Sequence, residues 1–269
     1  YGVQGSNFVD LSKYLNSMPN LNQFLTENPA VRASMTAADG GIYYTPYFDG
    51  FGEIEQMFLV RIDWVQDILD VESPAFDTAS YEGTFTVANT TPENLNVVVK
   101  VANADGTTRD VTKAHTANIL TTLKNLPSKT GASMANAFRS YMQATYGSQG
   151  YAKLSGVFVG TDAAYDVDEL IALMYVVKAN PQFLTRELTT PKTAVEVMFP
   201  RTSQASRIRN LFRGLEMFGL RGMFSRYDWA YFNEQGNIVD ARAQQETIDG
   251  VTQLSNLFAD QLIIQTFDS

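Results

Sequence analysis

Apolar and polar positions along the chain fall into two periods. Spacings of three and four predict helices. Trp64, Val65, Ile68 and Leu69 share one face over residues 63–69, and Leu170, Ile171, Leu173, Met174 and Val177 form a stripe behind Asp166-Val167-Asp168-Glu169. Asp166 and Glu169 have the spacing of a capping box, which fixes the start of that helix. Further helical segments are expected at 12–14, 21–25, after Asn28-Pro29, and over 114–123, 132–146, 203–218 and 243–262. Spacings of two predict strands at 7–11, 42–44, 55–60, 81–87, 95–101, 107–111, 152–159, 224–232 and 237–239. Asn103-Ala104-Asp105-Gly106 and Gln235-Gly236 read as turns between strands. Strands and helices alternate throughout, which predicts an α/β class. Residues 73–165, rich in Thr, Ala and Asn, differ in character and read as an inserted α+β subdomain.

Composition narrows the chemistry. The chain has 269 residues, 20 Lys plus Arg against 29 Asp plus Glu, a net charge of −9, one His and no Cys. Without cysteine, thiolate zinc sites, iron–sulfur clusters, thiol catalysis and disulfides are excluded. A single histidine, His115, excludes any two-histidine metal site. It reads as an exposed polar residue on a helix of the insertion. The acidic balance argues against nucleic acid as a partner, which needs clustered cations in excess. The longest uninterrupted apolar run, 170–177, is far short of the ~20 residues that cross a bilayer. The chain opens with Tyr1-Gly2-Val3 rather than an initiator Met and reads as a processed or trimmed chain.

Several short motifs follow one another in a telling order: Val9-Asp10-Leu11, Pro19-Asn20-Leu21, Glu27-Asn28-Pro29, 39–46 (Asp-Gly-Gly-Ile-Tyr-Tyr-Thr-Pro), Arg61-Ile62-Asp63-Trp64, Asp168-Glu169-Leu170, and an aromatic segment at 229–236 leading into a long helix ending near Ile264. In this order the chain resembles the extracellular solute-binding proteins (family 1, lipoprotein branch) of carbohydrate ABC importers. The resemblance covers about residues 5–72 and 166–269 and leaves 73–165 unmatched. It implies a periplasmic-binding-protein-like (type II) two-lobe architecture, incomplete in this chain. Residues 1–45 would be part of lobe one, 46–72 and 166–269 mainly lobe two, and 73–165 an inserted subdomain. Relatives carry a calcium loop after the Asp-Glu-Leu helix. Here Asn180-Pro181-Gln182-Phe183 lacks the oxygen ligands, so neither a metal nor another cofactor is expected.

What the resemblance implies for function is a non-catalytic protein that binds an oligosaccharide or other small solute and delivers it to importer permease subunits. It would act outside the cytoplasmic membrane, held there only by a lipid anchor upstream of this chain. Its ligand would meet the segment that crosses between lobes, where Tyr47, Phe48 and Phe51 offer stacking faces and Asp49 and Glu53 accept from hydroxyls. Arg201, after Phe199-Pro200, and the aromatic pair Trp229 and Tyr231 are the other ligand-binding candidates. No catalytic set is expected. Asp49, Glu53 and Glu55 as paired carboxylates, or a surface interaction through 73–165, define the alternative of a carbohydrate-active enzyme or cell-surface interaction protein. The acids Asp162, Asp166, Asp168 and Glu169 fit either a cation site or a helix N-terminus, which attracts acids in any case.

Overall fold

The computed structural model describes residues 8–46, 60–199, 211, 214–220, 230–232 and 237–266. The chain divides into two compact units, Tyr1–Phe58 and Leu59–Ser269. In the first, Asp10 decides the local path. Its carboxylate accepts from Ser12 N (3.1 Å) and Ser12 Oγ (2.7 Å), capping a 3-10 helix over Leu11–Ser17, and also from Ile42 N (3.1 Å). The strand expected at 7–11 is therefore replaced, over its described part, by a cap and a tight helical turn. Pro19 and Pro29, whose missing N–H costs nothing in a first helical turn, open α1 (Pro19–Glu27) and α2 (Pro29–Met35). Leu15, Leu25, Met35 and Ile42 bury together under these elements. Ile42 makes one isolated bridge to Thr36 instead of the expected strand 42–44.

The second unit is built around helix α6. Before it come α3 (Ile62–Asp70), the antiparallel hairpin β1 (Leu95–Ala102) and β2 (Thr108–His115), α4 (Ile119–Lys124) and α5 (Gly131–Tyr146); α6 itself spans Val167–Ala179. The short α7 (Pro181–Leu184), a second antiparallel pair, β3 (Ala230–Phe232) with β4 (Ile238–Asp240), and α8 (Gln245–Ala259) follow. Gly106, at φ 81°, supplies the left-handed residue that the hairpin turn requires. The capping box at Asp166 and Glu169 forms as its spacing predicts. Unlike a surface helix with one apolar stripe, α6 is buried nearly all round, with Ile171, Ala172, Tyr175 and Val176 almost fully enclosed. Its core is shared with Val65 and Ile68 of α3, Val101 and Val111 of the hairpin, Phe138 and Met142 of α5, and Leu257 and Ile263 near the C-terminus.

Other expectations fail locally. The helix expected at 114–123 starts only at Ile119, because β2 stays paired with β1 through His115 and Asn118 caps the helix by accepting from Leu120 N. The strand expected at 152–159 is a 3-10 turn, Leu154–Val157. Of the helix expected at 203–218, residues 203–210 lie outside the described residues and Gly214–Phe218 is 3-10. Residues 71–91 form no strand and run as an irregular strap. The class is mixed helix and strand, α/β. Among the described residues the sheets are two antiparallel pairs, plus one parallel bridge between Met198 and Ile263. No described helix is long and apolar enough to cross a membrane.

The strap bonds through its backbone to residues 129–132, including one isolated bridge from Ser80 to Thr130, and elsewhere side chains give its backbone groups the partners a sheet would have supplied. Asp77 N donates to Asn180 at the C-terminal end of α6, Phe85 stacks on Tyr175 in its middle, and Thr90 and Thr91 donate to Asp168 in its first turn. The strap thus passes α6 from its C-terminal to its N-terminal end.

Candidate functional site

Most of the residues expected to bind ligand, namely Tyr47, Phe48, Asp49, Phe51, Glu53, Arg201 and Trp229, lie outside the described residues. Tyr231 is in β3, paired with Val239 of β4. Among the described residues, ionisable chemistry concentrates on the two flanks of α6.

On the hairpin flank, Lys113 points from β2 into the core and is 3% exposed. Its Nζ lies 2.8 Å from Asp166 Oδ2 and 3.1 Å from Glu169 Oε2, and donates to Ala164 O at 3.2 Å. Glu169 is fully enclosed. It accepts from Tyr146 Oη at 2.8 Å and Tyr141 Oη at 3.1 Å, and closes the capping box through Asp166 N. Burial, with Asp166 beside it, pushes the Glu169 carboxyl above its usual range despite Lys113, because desolvation of the ionised form outweighs one counter-charge. Burial and the same carboxylate push both phenols well above an ordinary tyrosine.

His115 lies two residues after Lys113 on the same strand and is half-buried against Tyr141, with ring centroids 5.3 Å apart. Among the described residues neither of its ring nitrogens has a hydrogen-bond partner, and both are shielded from solvent. The exposed helical histidine expected from the sequence is thus a strand residue facing the interior, because β2 runs to His115, four residues beyond the strand expected at 107–111.

On the strap flank, Asp168 is fully buried and saturated. It accepts from Thr90 N (2.9 Å), Thr91 N (2.9 Å), both threonine hydroxyls (2.7 and 2.8 Å) and Asn118 Nδ2 (2.6 Å). Farther along, Asp260 accepts from Thr84 Oγ1 (2.5 Å), Thr86 N (2.6 Å), Thr86 Oγ1 (2.8 Å) and the Tyr175 hydroxyl. Burial alone would raise the Asp260 carboxyl. The donors from Thr84, Tyr175 and Thr86 reverse that and hold it below the usual range.

The four acids read as a possible cation site therefore part company. Asp162 pairs with Arg109 (2.8 Å), Asp166 and Glu169 with Lys113, and Asp168 with neutral donors. No group of three or more described acids and histidines is placed to hold a metal ion. No local pattern signals the Lys113 or Asp260 clusters, which join pairs as far as 53 (Lys113 with Asp166) and 176 (Thr84 with Asp260) residues apart.

Two hollows open on the surface of this unit. One, of about 490 Å³, lies along α5 and is lined by Leu69, Arg139, Ser140, Gln143, Ala144 and Leu154. The other, of about 300 Å³, is lined by strap residues including Ser80, Tyr81 and Glu82, by Lys178 and Gln182 from α6 and α7, and by Thr193 and Gln261. Its lining mixes donors, acceptors and an aromatic ring. No family model, curated protein or solved structure matches the chain.

Proposed function

We propose that this chain belongs to an extracytoplasmic solute-binding protein of a carbohydrate ABC importer, non-catalytic and of the type II two-lobe architecture, which binds an oligosaccharide and passes it to the importer's permeases. The observation that carries this reading is that the residues bearing the resemblance do local structural work. Asp10 of Val-Asp-Leu bonds Ile42 N of the Asp-Gly-Gly-Ile-Tyr segment across 32 residues of sequence. Asp39 accepts from Gly41 N and from the Tyr43 hydroxyl within that second motif. Pro19 and Pro29 open helices, and Asp166 and Glu169 cap the helix of the Asp-Glu-Leu motif. The bond from Ile42 N to Asp10 ties two of these motifs to each other directly.

In this reading Tyr47, Phe48 and Phe51 stack on sugar faces and Asp49 and Glu53 bond hydroxyls, with Arg201, Trp229 and Tyr231 completing the ligand contacts. Isothermal titration of the full-length protein with neutral and acidic oligosaccharides tests it. Saturable heat with at least one is expected, weakened about tenfold or more by Tyr47→Ala or Asp49→Asn, a loss on the order of 1.4 kcal/mol. Absence of heat with every oligosaccharide removes the sugar assignment.

A further inference from the structure

The C-terminal end of α8 has a feature that its packing does not require. Asp260 caps the helix, Gln261 N bonds Phe258 O (3.0 Å) and Leu262 N bonds Leu257 O (2.9 Å). This is the Schellman pattern, in which the residue after the cap must be left-handed and is ordinarily glycine. Here it is Gln261, at φ 58°. A side chain at that position carries backbone strain that glycine would relieve. Gln261 lines the 300 Å³ pocket beside the strap. Its carboxamide is exposed and has no hydrogen-bond partner among the described residues, and the same holds for the side chain of Gln182, which also lines the pocket.

We propose that this pocket holds one ring of a polyhydroxylated ligand. A carboxamide offers a donor and an acceptor side by side, which matches a vicinal diol, and the residues lining the pocket include two that carry one, Gln182 and Gln261, together with Ser80 and Thr193. Tyr81 and Ala194 supply apolar surface for the C–H face of a ring. The volume sits at the lower end of the range for ligand sites and suits a single ring rather than a chain. The ligand class follows from the lining, and the residues are wholly distinct from 47–53, so the inference stands without the solute-binding reading.

Saturation-transfer NMR of the full-length protein with glucose, xylose and N-acetylglucosamine tests it, with Gln261→Gly and Gln182→Ala as variants. The wild type should transfer saturation to at least one of the three sugars. Gln261→Gly should weaken that binding at least fivefold while its thermal unfolding midpoint stays level or rises, because glycine relieves the left-handed strain. This variant therefore separates lost contact from lost fold. No transfer in the wild type, or equal affinity in the wild type and both variants, overturns the proposal.

An oligosaccharide titration run alongside distinguishes the two readings. Oligosaccharide heat that Gln261→Gly leaves unchanged, without monosaccharide binding at the pocket, sinks the pocket and leaves the solute-binding reading standing. Monosaccharide binding that Gln261→Gly weakens, with no oligosaccharide heat at all, does the reverse.

Discussion

Asp168 and Glu169 are neighbours in the first turn of α6, both fully buried, and the two flanks of the helix satisfy them by different means. On the strap flank, Asp168 takes a ring of neutral donors: two backbone N–H groups, two hydroxyls and a carboxamide. On the hairpin flank, Glu169 and the adjacent Asp166 face an ammonium and two phenols. Neutral donors solvate a buried carboxylate without burying a second charge. A counter-charge must itself be taken out of water, and the attraction has to recover the desolvation of both partners. The raised carboxyl of Glu169 shows that on this flank the recovery is incomplete. What the strap flank gains is different, since Asp168 uses its charge to fix the path of an irregular segment.

The largest expected effect breaks the hairpin flank. Lys113→Ala leaves the enclosed Glu169 and the half-buried Asp166 without their cation, and should cost about 3–5 kcal/mol of stability. Urea unfolding followed by circular dichroism measures it. A loss below about 1 kcal/mol would mean that the pair is solvated in ways the geometry does not show, and the contrast between flanks would collapse. Asp168→Ala should cost less, about 2 kcal/mol, because water can reach the strap at exposed Thr90 while Asn118 alone among the donors is fully buried. The two losses should also differ in place. Hydrogen exchange should quicken at Thr90 and Thr91 in Asp168→Ala and leave them protected in Lys113→Ala.

The strap shows why part of this fold could be read from sequence and part could not. Residues 81–87 alternate faithfully, with Tyr81, Gly83, Phe85 and Val87 against Glu82, Thr84 and Thr86. A pattern of period two says which side chains turn inward, not what the backbone bonds to. Here the N–H groups of Thr86 and Val87 are taken by Asp260, more than 170 residues away, and no strand lies alongside. Local signals survived where the physics was local: the Asp166 capping box, the Asn103–Gly106 turn and the helix starts at Pro19 and Pro29. His115 is not legible as a strand residue because the sequence marks the start of α4 weakly, and the cap that sets it, Asn118, also serves Asp168. The ligand candidates were legible only through motif order, which carries no geometry.

A pH titration of stability sharpens the comparison further, because two acids should pull in opposite directions. The Asp260 carboxyl is held below its ordinary 3.8, so its contribution is present above that value and is lost as pH falls through the folded-state value. Glu169 is raised above its ordinary 4.5, so its contribution is complete below that value and is lost as pH climbs through the folded-state value. Urea midpoints measured from pH 3 to 8 should therefore lose part of their decline above about 4.5 in Glu169→Gln, and part of their acid-side fall in Asp260→Asn. Identical pH profiles in wild type and Glu169→Gln would show that Lys113 fully compensates that carboxylate, and the two flanks would then be equivalent in energy as well as in burial.

The smallest effect concerns the residue that neither solution serves. His115 lies on the same strand as Lys113, against Tyr141 of α5, but among the described residues has neither donor nor acceptor for its ring nitrogens, so the imidazole buries at least one N–H unpaired. A buried polar group without a partner costs about 1–3 kcal/mol, less where the residue is only half-buried. His115→Phe keeps a ring against Tyr141 and removes both nitrogens, so it should raise stability by about 1 kcal/mol, seen as a higher urea midpoint with an unchanged slope. A loss of stability instead would mean that a partner, such as an ordered water, satisfies the imidazole in solution, and the hairpin flank would then be as fully bonded as the strap flank.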